Sequence, residues 1–181
     1  MGMGKNDKKI QTRRPMTPAT KAMLIFVVLV VLRLTVFRPE LAADGKPRTK
    51  AFVKYVIDGD TFDLDDGTRV RMLGIDAAEA GFGDKPPEPF SAEATQWLRN
   101  RIEGCEVALR IGYPKTDRYG RTLAWVFEPN GTLVNQQMLL EGRVKLLADF
   151  GLPADLEPDL RRAEAAARVR KIGIWARKKK K

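Results

Sequence analysis

The chain has 181 residues, a net charge of +10, no histidine and one cysteine. A lone cysteine excludes an intramolecular disulfide framework, and without histidine any metal site must use oxygen ligands, which favours calcium or magnesium over zinc or copper. The positive charge lies at the two ends: residues 1–48 carry +7, residues 168–181 carry +8 and residues 49–167 carry −5. Net charge therefore does not by itself indicate that the folded part binds nucleic acid.

Residues 1–21 form a polar, basic N-terminal segment, and an apolar stretch follows at Ala22–Phe37, interrupted by Arg33. Its 16 residues are marginal for a transmembrane helix, which needs about 20, unless Arg33 reaches toward an interface. A signal anchor and a cleaved signal peptide both fit this pattern, whereas a buried core helix does not, because nothing amphipathic marks the segment. We expect the anchor, since Leu41–Ala43 is a poor cleavage site.

The basic residues before the apolar stretch predict a single-pass protein with a cytoplasmic N-terminus and its remaining residues in the periplasm or outside the cell. Cleavage would instead give a secreted protein. Residues 38–49 include two prolines and a glycine and are predicted to be a linker. The folded domain is predicted to span residues 50–176, and residues 177–181 are predicted to be a basic tail.

The first half of the predicted domain has the pattern of short strands. Ala51–Ile57 is apolar and β-branched, Asp58-Gly59 is a turn signal, and Thr61–Leu64 resumes an extended pattern. Thr68–Ile75 alternates between apolar and polar residues, which indicates a strand with one buried face. The stretch Gly81–Pro89 holds three prolines and two glycines and is predicted to be a loop.

The second half mixes helices with strands. Ser91 is predicted to cap a helix that runs to about Ile102, and Cys105, which begins the next strand, is predicted to be buried. The elements predicted after this helix are strands at Cys105–Ile111 and Leu123–Phe127 and helices at Val134–Leu140 and Glu157–Lys171. Short strands with helices between and after them indicate an α+β fold in which helices surround a small β-barrel.

Four segments carry candidate chemistry, and each is ordinary when taken alone. An Asp-Gly turn is usually just a hairpin, and single acids or arginines are usually surface charges. In chain order the segments are Val56–Thr61, Arg71–Glu79, Thr116–Trp125 and Gly173–Trp175. Together they resemble the successive signatures of the staphylococcal nuclease family, in the family's order. The resemblance runs from about Lys50 to Trp175, which is almost the whole predicted domain.

The resemblance implies a five-stranded OB-type β-barrel with about three helices, here preceded by the N-terminal hydrophobic helix. It implies a nuclease that uses calcium to hydrolyse phosphodiester bonds of DNA and RNA. The implied calcium ligands are the carboxylates of Asp60 and Asp76 and the main-chain carbonyl of Ala77. Glu79 would act on the attacking water, while Arg71 and Arg121 would hold the scissile phosphate. The residues expected to contact the nucleotide are Tyr119, in the loop that Asp117 begins, and Phe150. We expect a monomer.

These implied roles agree with elementary chemistry. A hard cation prefers oxygen ligands, and a nearby carboxylate can accept a proton from water. Two arginines offer paired N–H donors to phosphate oxygens, which lysine does not.

The chain departs from the family at Ala77-Ala78, where Thr-Pro is common, and at Ala148, where a tyrosine is common. Loss of the proline is expected to loosen the loop and weaken metal binding. The alternative is a noncatalytic OB-fold module that binds single-stranded nucleic acid or a protein. The complete set of acids and arginines favours the enzyme.

Overall fold

The computed structural model describes residues 40–41, 46–81, 83–149 and 151–176. The predicted N-terminal segment, the predicted hydrophobic helix, the predicted basic tail and Phe150 all lie outside these residues. Among the residues that are described, no helix is both long enough and apolar enough to cross a membrane.

The strands of the described chain form a closed barrel and a short two-stranded sheet. They are β1 (Glu40–Leu41), β2 (Pro47–Val56), β3 (Thr61–Leu64), β4 (Arg69–Met72), β5 (Ile75–Asp76), β6 (Glu106–Thr116), β7 (Thr122–Phe127) and β8 (Lys145–Leu146). The barrel has the strand order β2-β3-β4-β7-β6, and pairing of β6 with β2 closes it. β1 pairs with the start of β2, and β5 pairs with β8. The five-stranded barrel of the prediction is confirmed.

Closure of the barrel depends on the length of β2. Its first half pairs antiparallel with β6, where Thr49 is opposite Leu109, and its second half pairs antiparallel with β3, where Val56 is opposite Phe62. β4 and β7 are parallel, and Arg71 is opposite Leu123. The Asp58-Gly59 turn is short because Ile57 and Asp58 both donate their N–H groups to the carbonyl of Thr61, which makes a tight β2–β3 hairpin.

Three α-helices surround the barrel in the described chain, as the prediction requires. They are α1 (Ser91–Ile102), α2 (Val134–Leu140) and α3 (Glu157–Arg170), and a 3-10 turn at Gly173–Trp175 follows α3. The predicted cap is wrong in detail. Phe90 holds the cap position with φ of 73°, no side chain caps the helix, and Ser91 is its buried first residue.

One apolar core joins the barrel to the helices. From the barrel it takes Phe62, Val70 and Met72, all nearly inaccessible to solvent. The helices contribute Leu98 and Leu139 among other buried residues. Val70 and Met72 alternate with Arg69 and Arg71 along β4, so the strand turns apolar side chains inward and its arginines outward.

Three further sequence-based expectations are corrected by the structure. β1 and the first residues of β2 lie inside the predicted linker 38–49, so strand pairing begins before the predicted domain start at residue 50. Cys105 is exposed because it lies in the turn between α1 and β6, ahead of the strand's buried positions. β6 is also longer than predicted, since it continues past Ile111 to Thr116.

Candidate active site

Asp60 lies in the turn between β2 and β3, and this turn is held against β4. The Asp60 N–H donates to the Asp58 carboxylate over 2.9 Å, and the Asp60 carbonyl accepts a hydrogen bond from the Met72 N–H over 2.8 Å. A Cβ at Gly59 would come within 2.7 Å of the Ala77 Cβ, closer than carbon atoms approach. Glycine is therefore required here, and it brings the turn close to the segment that follows β5.

The Asp60 carboxylate is buried and has several partners. Oδ1 accepts a hydrogen bond from the Thr61 hydroxyl over 3.0 Å, and Oδ2 accepts one from the Ala77 N–H over 2.8 Å. Burial raises the pKa of Asp60 to about 7, against the opposing charge of Arg71 and with a further upward contribution from Asp58. Bringing another cation to this carboxylate would favour its charged form.

Arg71 joins the two aspartates that the sequence predicts as metal ligands. Nη1 lies 2.5 Å from Oδ2 of Asp60, and Nη2 lies 3.3 Å from Oδ1 of Asp76. The Arg71 side chain is only 15% exposed, whereas that of Asp76 is 51% exposed. β4 supplies the arginine and β5 supplies Asp76, so a single guanidinium connects a buried carboxylate to one that faces solvent.

Glu79 begins the proline-rich loop, three residues after Asp76, and its side chain is exposed. Its N–H donates to Oε2 of Glu88 over 3.2 Å, and its carbonyl accepts a hydrogen bond from the Glu88 N–H over 2.8 Å. These two hydrogen bonds close the loop at its base and fix the backbone that carries Glu79. Sequence reasoning did not find Glu88, because an acid among prolines carries no motif.

The loop between β6 and β7 folds around the carboxylate of Asp117. Oδ1 accepts hydrogen bonds from the N–H groups of Tyr119 and Arg121 over 2.9 and 3.0 Å, and Oδ2 accepts one from Arg121 Nε over 2.7 Å. Partial burial acts to raise the pKa of Asp117, but the hydrogen bonds from Arg121 and Tyr119 hold that pKa below its usual range. Asp117 therefore fixes the orientation of Arg121.

The pairing of β7 with β4 places Arg121 on the same side of the sheet as Arg71. Arg121 immediately precedes β7, whose Leu123 is opposite Arg71 on the parallel neighbour β4. Residues two apart along an extended chain share a face, so Arg121 starts on the side of the sheet that carries Arg71. The guanidinium carbon of Arg121 lies 5.5 Å from the centre of the Tyr119 ring.

The structure thus places the predicted site residues in two groups. Asp60 and Asp76 both contact Arg71, and Ala77 contacts Asp60 through its N–H. Glu79 follows closely in the chain. Arg121 and Tyr119 form the second group, on the adjoining loop.

A groove of about 300 Å³ borders the predicted metal ligands Asp76 and Ala77. Arg143 and Lys145 also line it, and Lys145 is the register partner of Asp76 across the β5–β8 pair. Sequence reasoning did not single out these two basic residues because two cations in the turn and short strand after a helix are an ordinary pattern. Their presence puts positive charge directly beside the acidic group.

The donors gathered at Asp60, Asp76 and Ala77 suit a hard cation, because they are carboxylate and backbone carbonyl oxygens. In the part of the chain that the structure describes, no group of three or more His, Cys, Asp or Glu side chains is arranged to hold a metal. The predicted set is smaller, two carboxylates and one carbonyl. Asp60 is buried, and its cationic partner is the guanidinium of Arg71. A second cation beside it would stabilise the charged form of its carboxylate.

Comparison with known proteins shows the family of the chain. Residues 69–177 match the family described as staphylococcal nuclease homologue. The chain is 33% identical over 129 residues to a thermonuclease of Staphylococcus intermedius, covering 69% of this chain and 75% of that protein. It is 38% identical over 119 residues to a probable endonuclease of Botryotinia fuckeliana, covering 61% of this chain and 43% of that protein.

The matched region makes up more than half of the chain, and the protein therefore belongs to the staphylococcal nuclease family. A further relative, an uncharacterised protein of Bacillus anthracis, is 33% identical over 136 residues, which are 73% of this chain and 63% of that protein. The chain thus spans less than two thirds of the length of this relative and of the Botryotinia fuckeliana protein.

Proposed function

We propose that the protein is a calcium-dependent nuclease that hydrolyses phosphodiester bonds of DNA and RNA. The observation that carries this proposal is the contact of Arg71 with both Asp60 and Asp76, at 2.5 and 3.3 Å. In this cluster Arg71, a cation suited to binding phosphate, contacts the two aspartates whose carboxylates suit a metal. Relatives named thermonuclease and probable endonuclease support the same reaction class.

The residues divide the reaction between them. Glu79 accepts a proton from the water whose oxygen bonds to phosphorus. The bond from phosphorus to one ester oxygen breaks, and that oxygen leaves with its strand and takes a proton from solvent. Arg71 and Arg121 donate N–H groups to the nonbridging phosphate oxygens, where negative charge increases as the water adds. The carboxylates of Asp60 and Asp76 and the carbonyl of Ala77 would hold the calcium ion, which would supply Lewis-acid polarisation of a phosphoryl oxygen. Tyr119, beside Arg121, contacts the nucleotide.

The alanine at position 77 is compatible with this role. Its N–H is already committed to Asp60, and the ligand required of it is a backbone carbonyl, which every residue has. The absence of proline at position 78 is offset in part by the two hydrogen bonds between Glu79 and Glu88, which hold the loop that follows.

The proposal is tested with the full-length protein in a mild nonionic detergent. Single-stranded DNA, duplex DNA and RNA are incubated with calcium, with magnesium or with chelator, and the products are separated by size. We expect cleavage with calcium and none with chelator. Binding of nucleic acid without cleavage under every condition would overturn the proposal and favour the noncatalytic OB-fold module.

Calcium binding is expected to release a proton near pH 6. The chain has no histidine, so no side chain with an ordinary pKa titrates between about pH 5.5 and 7.5. Asp60, with its pKa of about 7, is mostly protonated in the metal-free protein at pH 6 and mostly ionised at pH 8. We expect nearly one proton released per calcium at pH 6 and far less at pH 8. Calorimetric titration in two buffers of different ionisation enthalpy measures this release.

The same shift has a defined effect on stability. Folding raises the pKa of Asp60 from 3.8 to about 7. The free energy of unfolding that Asp60 contributes is therefore fully present below about pH 4 and is lost as the pH rises through 7. Calcium should therefore raise the melting temperature more at pH 8 than at pH 6. Equal proton release at both pH values would contradict the assignment, and Asp60→Asn should abolish the release.

We further propose that the hydrophobic segment 22–37 tethers the protein to a membrane with the nuclease domain in the periplasm or outside the cell. The 16 apolar-rich residues behind a basic start support this proposal. N-terminal sequencing of the protein from its native membranes tests it. An intact start is expected, whereas a new start near Ala43 would show a secreted enzyme.

A further inference from the structure

The β6–β7 hairpin contains a large bulge beside the loop that carries Arg121. Ile111 is opposite Ala124, and Thr116 is opposite Thr122. The four residues 112–115 of β6 therefore lie opposite the single residue Leu123 of β7. A bulge bends its strand and redirects side chains, and bulges are frequent next to active sites.

Tyr113 projects from this bulge into solvent. Its relative exposure is 103%, the highest of the large hydrophobic and aromatic residues that the structure shows as exposed. Gly112 faces the opposite way, since a Cβ there would come within 2.4 Å of Leu73. The bulge thus turns a small residue toward the barrel and a whole aromatic ring away from it.

The charge around Tyr113 differs from that of the domain. Residues 49–167 carry a net charge of −5, whereas the nine residues from Tyr113 to Arg121 hold three basic residues and one acid. The acid, Asp117, is hydrogen-bonded to Arg121. The guanidinium carbon of Arg118 lies 4.8 Å from the centre of the Tyr119 ring. Two aromatic rings and three cations are therefore interleaved along this hairpin.

We propose that Tyr113 stacks on a base of the single-stranded nucleic acid that flanks the scissile phosphate, and that Lys115 binds that strand's backbone. This inference rests on the proposed function. Tyr113 is three positions before Thr116, a span of at most about 10 Å, and the partner of Thr116, Thr122, directly follows Arg121. A strand whose phosphate lies at Arg121 passes Tyr113 within a few nucleotides.

Single-stranded nucleic acid is the occupant that fits this surface. Exposed aromatic rings interleaved with cations are the usual means of holding single strands, because every base has a face to stack and every phosphate has a charge. Bases in a duplex are already stacked on one another and offer Tyr113 no free face. The hairpin should therefore favour single strands or frayed ends over intact duplex.

Kinetics of full-length Tyr113→Ala in detergent test the proposal. Loss of one stacked base is worth about 1–3 kcal/mol, so KM for a single-stranded 12-mer should rise about tenfold with kcat nearly unchanged. A dinucleotide substrate, too short to reach from Arg121 to Tyr113, should be unaffected. Tyr113→Phe should retain the wild-type KM, because the ring remains.

The matched control is Tyr55→Ala, which removes another exposed tyrosine. Tyr55 lies on β2, and the centre of its ring is 5.6 Å from the guanidinium carbon of Arg99. It should leave both substrates unaffected. An unchanged KM for the 12-mer in Tyr113→Ala would overturn the proposal, as would an equal rise for the dinucleotide and the 12-mer.

A binding experiment separates this inference from the proposed function. In chelator, Tyr113→Trp is titrated with a single-stranded 12-mer, and fluorescence quenching beyond that of the wild type, with its three tryptophans, reports stacking at position 113. Quenching in a protein that never cleaves would support the stacking and overturn the proposed function. Cleavage by the wild type without extra quenching in Tyr113→Trp would support the function and overturn the stacking.

Discussion

Glu79→Gln is expected to lower kcat about a thousandfold, within the 10²–10⁴ range of general-base catalysis. Glutamine keeps the size and polarity of the side chain but cannot accept a proton from water. The backbone of Glu79, not its carboxylate, makes the two hydrogen bonds with Glu88, so the loop should keep its shape. The measurement is the initial rate of cleavage of single-stranded DNA at saturating calcium.

Glu93→Gln is the matched control, since Glu93 is an exposed acid in the first turn of α1. It makes the same chemical change outside the site and should alter kcat less than twofold. Calcium affinity, measured by calorimetry, should change little in Glu79→Gln, because Glu79 is not among the proposed ligands. A Glu79→Gln enzyme with more than a tenth of the wild-type kcat would exclude Glu79 as the base.

The parts of the fold that the sequence predicted well are those with local signals. The Asp58-Gly59 turn, the alternation along β4 and the helix Val134–Leu140 are all found where expected. Each depends on residues within about ten positions of one another. The closure of the barrel by β2 and β6 pairs Thr49 with Leu109, and nothing local in either strand specifies that partner.

The residues of the candidate site also divide into those that the sequence identifies and those that it does not. Asp60, Arg71 and Asp76 were identified from the resemblance of their segments, and their contact follows from the β3–β4 pairing and the turn after β4. Glu88 was missed because its role is to bond the backbone of Glu79 across a loop of irregular sequence. The exposure of Tyr113 was missed because it depends on how many residues of β6 lie opposite Leu123.

Arg71→Lys is expected to lower kcat at least a hundredfold while the protein remains folded. Lysine keeps the positive charge near Asp60 and Asp76 but cannot present two parallel N–H groups to a phosphate. Loss of one well-placed donor to a developing negative charge costs about 10²–10³ in kcat. The loss should appear in kcat, since the charge on the nonbridging oxygens grows only as the transition state forms.

The chain offers a closely matched control in Arg69→Lys. Arg69 lies on the same strand as Arg71 and also pairs with an aspartate, donating from Nε and Nη2 to Asp63 over 2.8 and 3.0 Å. Its side chain is 54% exposed, so this ion pair contributes little to stability. Arg69→Lys should cleave at the wild-type rate. Full activity in both variants would show that a bidentate arginine contact at position 71 plays no part in the reaction. An equal loss of activity in both would show that the loss reflects the charge or fold of β4 rather than contact with phosphate.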